Sequence, residues 1–124
     1  MSIFMTNYAR DIAPKAMKKA RISADGFIEA YNTGEAELVD IRMVSETAVW
    51  QVNFGIKIPA PDLPERLDEL PKDKLLVVAC PHSERSNMAY TYLLSQGFRV
   101  KYLEGGLLGL VDRLKGGRAK DIQL

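Results

Sequence analysis

Lys74-Leu75-Leu76-Val77-Val78-Ala79-Cys80-Pro81-His82-Ser83-Glu84-Arg85-Ser86 is the stretch on which the reading of this chain turns. Residues 75–79 are apolar without alternation, the pattern of a strand covered on both faces. The run closes on the only cysteine of the chain, a short polar loop follows, and Ser86 is placed to cap a helix through Met88, Tyr92 and Leu93 to Gln96, which Gly97 stops. Strand, thiol, loop and helix start in that order put one sulfur where loop amides and a helix N-terminus converge. Such a place favours an anion and therefore a thiolate.

Outward from this stretch, helix-like and strand-like periodicities alternate, which predicts a parallel sheet with helices on its faces. Asp11 is expected to cap a helix over Ile12 to Ala20, with Pro14 tolerated in its first turn, and Ser23 a second over Ala24 to Asn32, ended by Gly34. Residues 37–42 read as a buried strand with a polar exit, and Ile56-Lys57-Ile58 as a strand stopped by Pro59. Residues 62–70 read as a brief helix before Pro71. Beyond Gly97, residues 99–103 alternate like a half-exposed strand, Gly105-Gly106 makes a turn, and Leu107 to Lys115 is an amphipathic helix ended by Gly116-Gly117. A thiol at the carboxyl end of a parallel strand lies where open α/β sheets place their ligands.

Bulk properties narrow the function classes. A chain of 124 residues is one domain's length, and a net charge of +1 argues against a general nucleic-acid or membrane-surface binder. One cysteine excludes an intramolecular disulfide and a thiolate zinc cluster, and fits a reducing compartment. Cys80 and the single histidine, His82, do not make a tetrahedral metal set, so neither metal nor cofactor is implied. Residues 1–7 lack the charged region of a signal peptide and no stretch is long enough to span a bilayer, so the expectation is a cytoplasmic protein.

Several landmarks in order give the chain a family likeness: Leu38-Val39-Asp40-Ile41-Arg42, Ile58-Pro59, Cys80-Pro81-His82-Ser83-Glu84-Arg85-Ser86, Gly97-Phe98 with Val100, and Leu103-Glu104-Gly105-Gly106. In these it resembles the single-domain rhodanese-like sulfurtransferases from about Ile22 to Lys115. The resemblance implies an α/β fold, an open five-stranded parallel sheet with helices on both faces, with a rhodanese-like domain over 21–124 after a helical extension over 1–20. It also implies that Cys80 accepts a sulfane sulfur to become a persulfide. The chain departs from the family pattern at Trp50-Gln51-Val52, where glycine-histidine-isoleucine is usual, at Ser83 in place of a loop glycine, and at Leu110 in place of a tryptophan. Ser83 restricts a loop position that glycine leaves free, and Pro81 removes one amide donor.

The chemistry also follows from the residues themselves. A Cys80 thiolate is the nucleophile, and Arg85 offers a planar fork for a sulfur-containing anion. Residues 81–86, comprising Pro81, His82, Ser83, Glu84, Arg85 and Ser86, form the substrate-binding loop, with His82 expected at its solvated rim. Glu84 disfavours a dianionic donor such as thiosulfate if it faces inward and does little if it faces outward. Asp40 and Arg42 are expected to steady the loop as a structural ion pair. The expected reaction moves sulfur from thiosulfate, polysulfide or a persulfidated protein to a thiol or cyanide. Two other classes stand beside it. Phosphatase or arsenate chemistry pairs a loop cysteine and an arginine across five residues, whereas Cys80 and Arg85 enclose four, a shorter ring of amides suited to sulfur. A non-catalytic binding or redox-sensing module keeps the fold and uses the thiol as a switch.

Lys15, Lys18, Lys19 and Arg21 make the N-terminal segment the most basic part of the chain. Its duller reading is a solvated helix face; its sharper one is an arm whose Tyr8, Ile12 and Met17 pack on a second subunit in a homodimer.

Overall fold

The computed structural model describes residues 2–124. Five parallel strands, β1 (Arg21–Ile22), β2 (Ala36–Asp40), β3 (Ile56–Lys57), β4 (Leu75–Ala79) and β5 (Val100–Leu103), form one sheet in the order β1-β5-β4-β2-β3. The expected open parallel sheet is therefore present. β4 lies at its centre, in register with β2 from Ala36↔Leu75 to Asp40↔Ala79 and with β5 from Leu76↔Val100 to Val78↔Tyr102. Its side chains alternate between two cores. Leu76, Val78 and Cys80 join Val39, Ile41, Leu63 and Leu93 on one face; Val77 and Ala79 join Leu38, Phe27, Leu107 and Leu110 on the other. Two buried faces explain the unbroken apolar run.

Helices α3 (Ala24–Asn32) and α6 (Gly106–Leu114) cover one face, and α5 (Glu84–Ser95) the other. The Ser23 hydroxyl accepts from the Gly26 amide at 3.0 Å, so the cap read from the sequence is made. Leu110, where the family pattern has tryptophan, is fully buried in the core beneath α6.

Three local expectations change, and two short elements are added. The helix expected over 12–20 starts only at Pro14, as α2 (Pro14–Ala20), and a separate helix, α1 (Ile3–Arg10), precedes it, with Asp11 closing α1 rather than capping α2. Pro14 forces Ala13 into extended backbone, φ −161° and ψ 162°, so a helix can begin only at the proline. Residues 62–70 form two 3₁₀ turns, Ala60–Glu65 and Leu67–Glu69, because Pro64 withholds the amide a helix needs there. A short helix, α4 (Val44–Val49), and the two-residue strand β1 have no counterpart in the sequence reading. Because β1 pairs with it, β5 is interior to the sheet and more buried than alternation implied. Among the described residues, no helix is long and apolar enough to cross a membrane.

Candidate active site

β2 leads out to β3 on one side of the sheet and β4 starts the chain's return on the other, so a crevice opens at the carboxyl ends of β2 and β4. Cys80 follows β4 at that crevice and is 2% exposed. Its Sγ accepts from the Ser86 amide at 3.3 Å. Helix α5 begins at Glu84, so Ser86 is not the cap expected from the sequence but the third helical residue. Ser83 occupies the cap position and its side chain makes no cap bond. The reason lies in the sulfur: an amide of the first helical turn has no intrahelical acceptor, and the Cys80 sulfur fills the place a capping side chain would take. The Ser86 hydroxyl instead donates to the Ser83 carbonyl at 3.0 Å, bracing the loop from within.

Two sets of backbone contacts fix the loop. The amides of Leu107 and Leu108, at the start of α6, donate to the carbonyls of Cys80 and Pro81 at 2.8 and 3.2 Å. Those carbonyls are thereby turned toward α6, while the amides of His82, Ser83, Glu84 and Arg85 have no protein acceptor among the described residues. Gly106 makes the approach possible. A Cβ there would run into the carbonyls of Pro81 and His82, and its φ of +65° is one that side-chain-bearing residues resist. What reads in the sequence as a simple double-glycine turn is the backing plate of the loop.

Asp40 and Arg42 lie beneath the site, 0% and 1% exposed. The Arg42 guanidinium donates to Asp40 Oδ2 at 2.8 Å and to the Trp50 carbonyl at 3.1 Å, and its Cζ stands 4.1 Å from the centroid of the Trp50 ring. The Arg42 amide donates to Asp40 Oδ1 at 3.1 Å. A buried arginine held in this way is a structural pair at the exit of β2. Trp50, a departure from the family pattern, serves here as the aromatic cover of that cation.

Arg85 differs. Its two terminal nitrogens each donate at 2.7 Å to Glu46 of α4, a bidentate pair at the mouth of the crevice, with the two side chains 43% and 33% exposed. Glu46 also accepts from the Met43 amide at 3.1 Å. The Arg85 hydrogen bonds, followed by that from Met43, hold the Glu46 carboxyl at about 2, well below its ordinary value of 4.5. The guanidinium is held more firmly protonated, chiefly by Glu46, with smaller contributions from Cys80 and Asp40. Sequence reasoning singled out Arg85 but not Glu46; the available signal was an acidic residue three positions beyond Met43, in the first turn of a helix that the sequence reading lacked. His82 and Glu84 are exposed at the rim. An apolar cavity of about 270 Å³ lined by Pro61, Leu63, Pro64, Met88 and Tyr92 opens beside Arg85.

The chain is 37% identical over 78 residues to a sulfurtransferase of Allochromatium vinosum, a match covering 62% of this chain and 73% of that protein. It is 32% identical over 99 residues to the putative sulfurtransferase YtwF of Bacillus subtilis, covering 80% and 87%. The crystal structure of a rhodanese-related protein from Thermoplasma volcanium superposes with a TM-score of 0.67 at 28% identity, covering 75% of this chain and 91% of that one. Residues 23–112 match the rhodanese-like domain, and with the parallel sheet and the cysteine loop at its carboxyl edge in place, the chain belongs to the rhodanese-like family.

Proposed function

We propose that the protein is a sulfurtransferase that carries a sulfane sulfur on Cys80. The observation that carries this reading is the 3.3 Å contact from the Ser86 amide to Cys80 Sγ, in a loop whose remaining amides have no protein acceptor. The Cys80 thiolate attacks the outer sulfur of a donor R–S–S⁻; the donor's S–S bond breaks, its electron pair leaves with R–S⁻, and Cys80–S–S⁻ remains. An acceptor thiolate then attacks the terminal sulfur, takes it away and returns the Cys80 thiolate. No net oxidation occurs, and neither step requires removal of a proton from a weak acid. The loop amides stabilise negative charge on the persulfide as on the thiolate, which is where a fixed set of donors is worth most.

The Arg85–Glu46 pair bears on the donor. Because Glu46 stays ionised throughout the neutral range, it already occupies the guanidinium fork, and the sulfonate oxygens of thiosulfate must compete with a bidentate carboxylate for it. The apolar cavity beside Arg85 suits the body of a bulkier thiol or persulfide. Polysulfide or an organic or protein persulfide is therefore the preferred donor and a thiol the acceptor, in a cytoplasmic setting that keeps Cys80 reduced. Cys80→Ser is expected to abolish sulfur transfer with the fold retained; turnover by that variant contradicts the mechanism.

Self-association through residues 1–20 belongs to the same proposal. Ile3, Ile12 and Met17 are 80%, 66% and 51% exposed, although Tyr8 folds onto the chain's own α5, its hydroxyl accepting from Thr91 at 3.1 Å. Light scattering at high protein concentration is expected to give a dimer mass; a monomer mass rules it out.

A further inference from the structure

The N-terminal arm, residues 3–20, precedes the family match at residue 23, yet it completes the wall of a cavity. The arm is anchored to the domain by the Tyr8–Thr91 hydrogen bond and by Lys101 Nζ donating to the Lys19 carbonyl at 2.6 Å. Between arm and domain lies a space of about 410 Å³. It is open to solvent, and its volume lies in the range of ordinary small-molecule sites. Ala16, Ala20 and Leu94 supply apolar lining, and the largely exposed Ile12 and Met17 stand at its open edge.

Tyrosines and an asparagine line it from the domain side. Tyr102 is 8% exposed and meets Tyr90 edge-on, ring centroids 6.0 Å apart; both line the cavity, and neither hydroxyl has a hydrogen-bond partner among the described residues. Both hydroxyl oxygens keep contact with solvent, so a ligand entering the space takes the place of water on them. Burial first, then the neighbouring Tyr8 and Tyr102, raises the pKa of the Tyr90 phenol, so it remains a neutral donor. Asn87 adds a side-chain amide to the same lining, and Asp11 and Lys19 bring one charge of each sign to exposed positions on the arm side. Neutral phenol donors above an apolar wall select a ligand with an acceptor head and an apolar body.

We propose that this cavity is a second ligand site, for a small molecule with a single-ring or short-chain apolar body whose carbonyl or carboxylate head accepts from the Tyr90 and Tyr102 hydroxyls. The site is independent of the chemistry at Cys80 but is joined to it by α5: Ser86 donates to the sulfur, and Asn87, the next residue, lines the cavity.

The test is titration of the full ¹⁵N-labelled chain with benzoate and, separately, benzamide, followed by amide shifts. Saturable shifts are expected at Ala16, Asn87, Tyr90 and Tyr102 with a dissociation constant on the order of ~1 mM, ordinary for so small a probe. Tighter binding of benzoate assigns a carboxylate head, and equal or tighter binding of benzamide a neutral carbonyl. Ala16→Trp, which fills the cavity, is expected to remove the response. Tyr90→Phe, which keeps the packing and deletes one donor, is expected to weaken it about fivefold. The proposal is overturned if neither probe gives saturable shifts at these residues, if the shifts centre on residues 82–86 instead, or if folded Tyr90→Phe titrates like the parent.

Discussion

The base and the rim of the crevice each hold an arginine–carboxylate pair, and burial makes them different objects. At the base, Arg42 and Asp40 are removed from water, and every engagement of the guanidinium is with the chain's own groups. At the rim, Arg85 and Glu46 have comparable bidentate geometry at 2.7 Å but stand in partial contact with solvent. The first pair is buried, and the Arg42 bonds run to Asp40 and the Trp50 carbonyl at the exit of β2, the place of a scaffold. The second keeps its partial contact with solvent, and on the proposed function the same two functional groups divide into structure and selectivity according to depth.

The difference is sharpest in stability. Asp40→Ala leaves a buried guanidinium without its carboxylate and is expected to cost about 3–5 kcal/mol in urea unfolding. A loss below about 1 kcal/mol would erase the distinction between base and rim. Gly106→Ala attacks the base from the other side, through a Cβ directed at the Pro81 and His82 carbonyls and an unfavourable positive φ. It is expected to cost about 2–4 kcal/mol and to impair transfer by displacing the loop. Full stability and activity in that variant would mean that α6 does not set the loop's position.

At the rim the expected effects are on donor choice. Glu46→Gln uncovers the Arg85 charge and is expected to improve kcat/KM for thiosulfate about tenfold, while Arg85→Ala lowers it by a similar factor, corresponding to about 1–2 kcal/mol each. Equal losses in both variants would show that the pair acts only as a brace. The smallest effect concerns acid. Glu46 has a folded pKa lowered from 4.5 to about 2, so its contribution to stability is fully present above 4.5 and is lost as pH falls toward 2. Screening at this exposed position limits that contribution to about 1 kcal/mol or less. Urea unfolding of the parent and Glu46→Gln should therefore converge across that interval; a constant difference would contradict the assignment.

How much of this was legible depended on the range of the contacts. The apolar run over residues 75–79, the Ser23 cap and the stop at Gly97 are local signals, and each element formed where its residues required it. The thiol's position at the carboxyl end of β4 followed from the same reasoning. The Ser86 cap did not, because the acceptor for its amide is a sulfur six residues back, a geometry that helix-start rules do not contain. Glu46 and Arg85 are 39 residues apart and meet only once β2 and β4 are paired, so their pairing has no local signature. Gly106 likewise reads as a turn until the fold brings α6 against the loop. β1 is two residues long, too short for any periodicity to declare itself.

The central claim, that Cys80 carries sulfur, is tested most directly by intact-protein mass spectrometry after incubation with polysulfide and, separately, with thiosulfate, followed by addition of a thiol. A gain of one sulfur mass on Cys80, greater from polysulfide than from thiosulfate, and its removal by the thiol are expected. No gain from either donor, or a gain that Cys80→Ser retains, would contradict the claim and leave the loop as a binding or redox-sensing site.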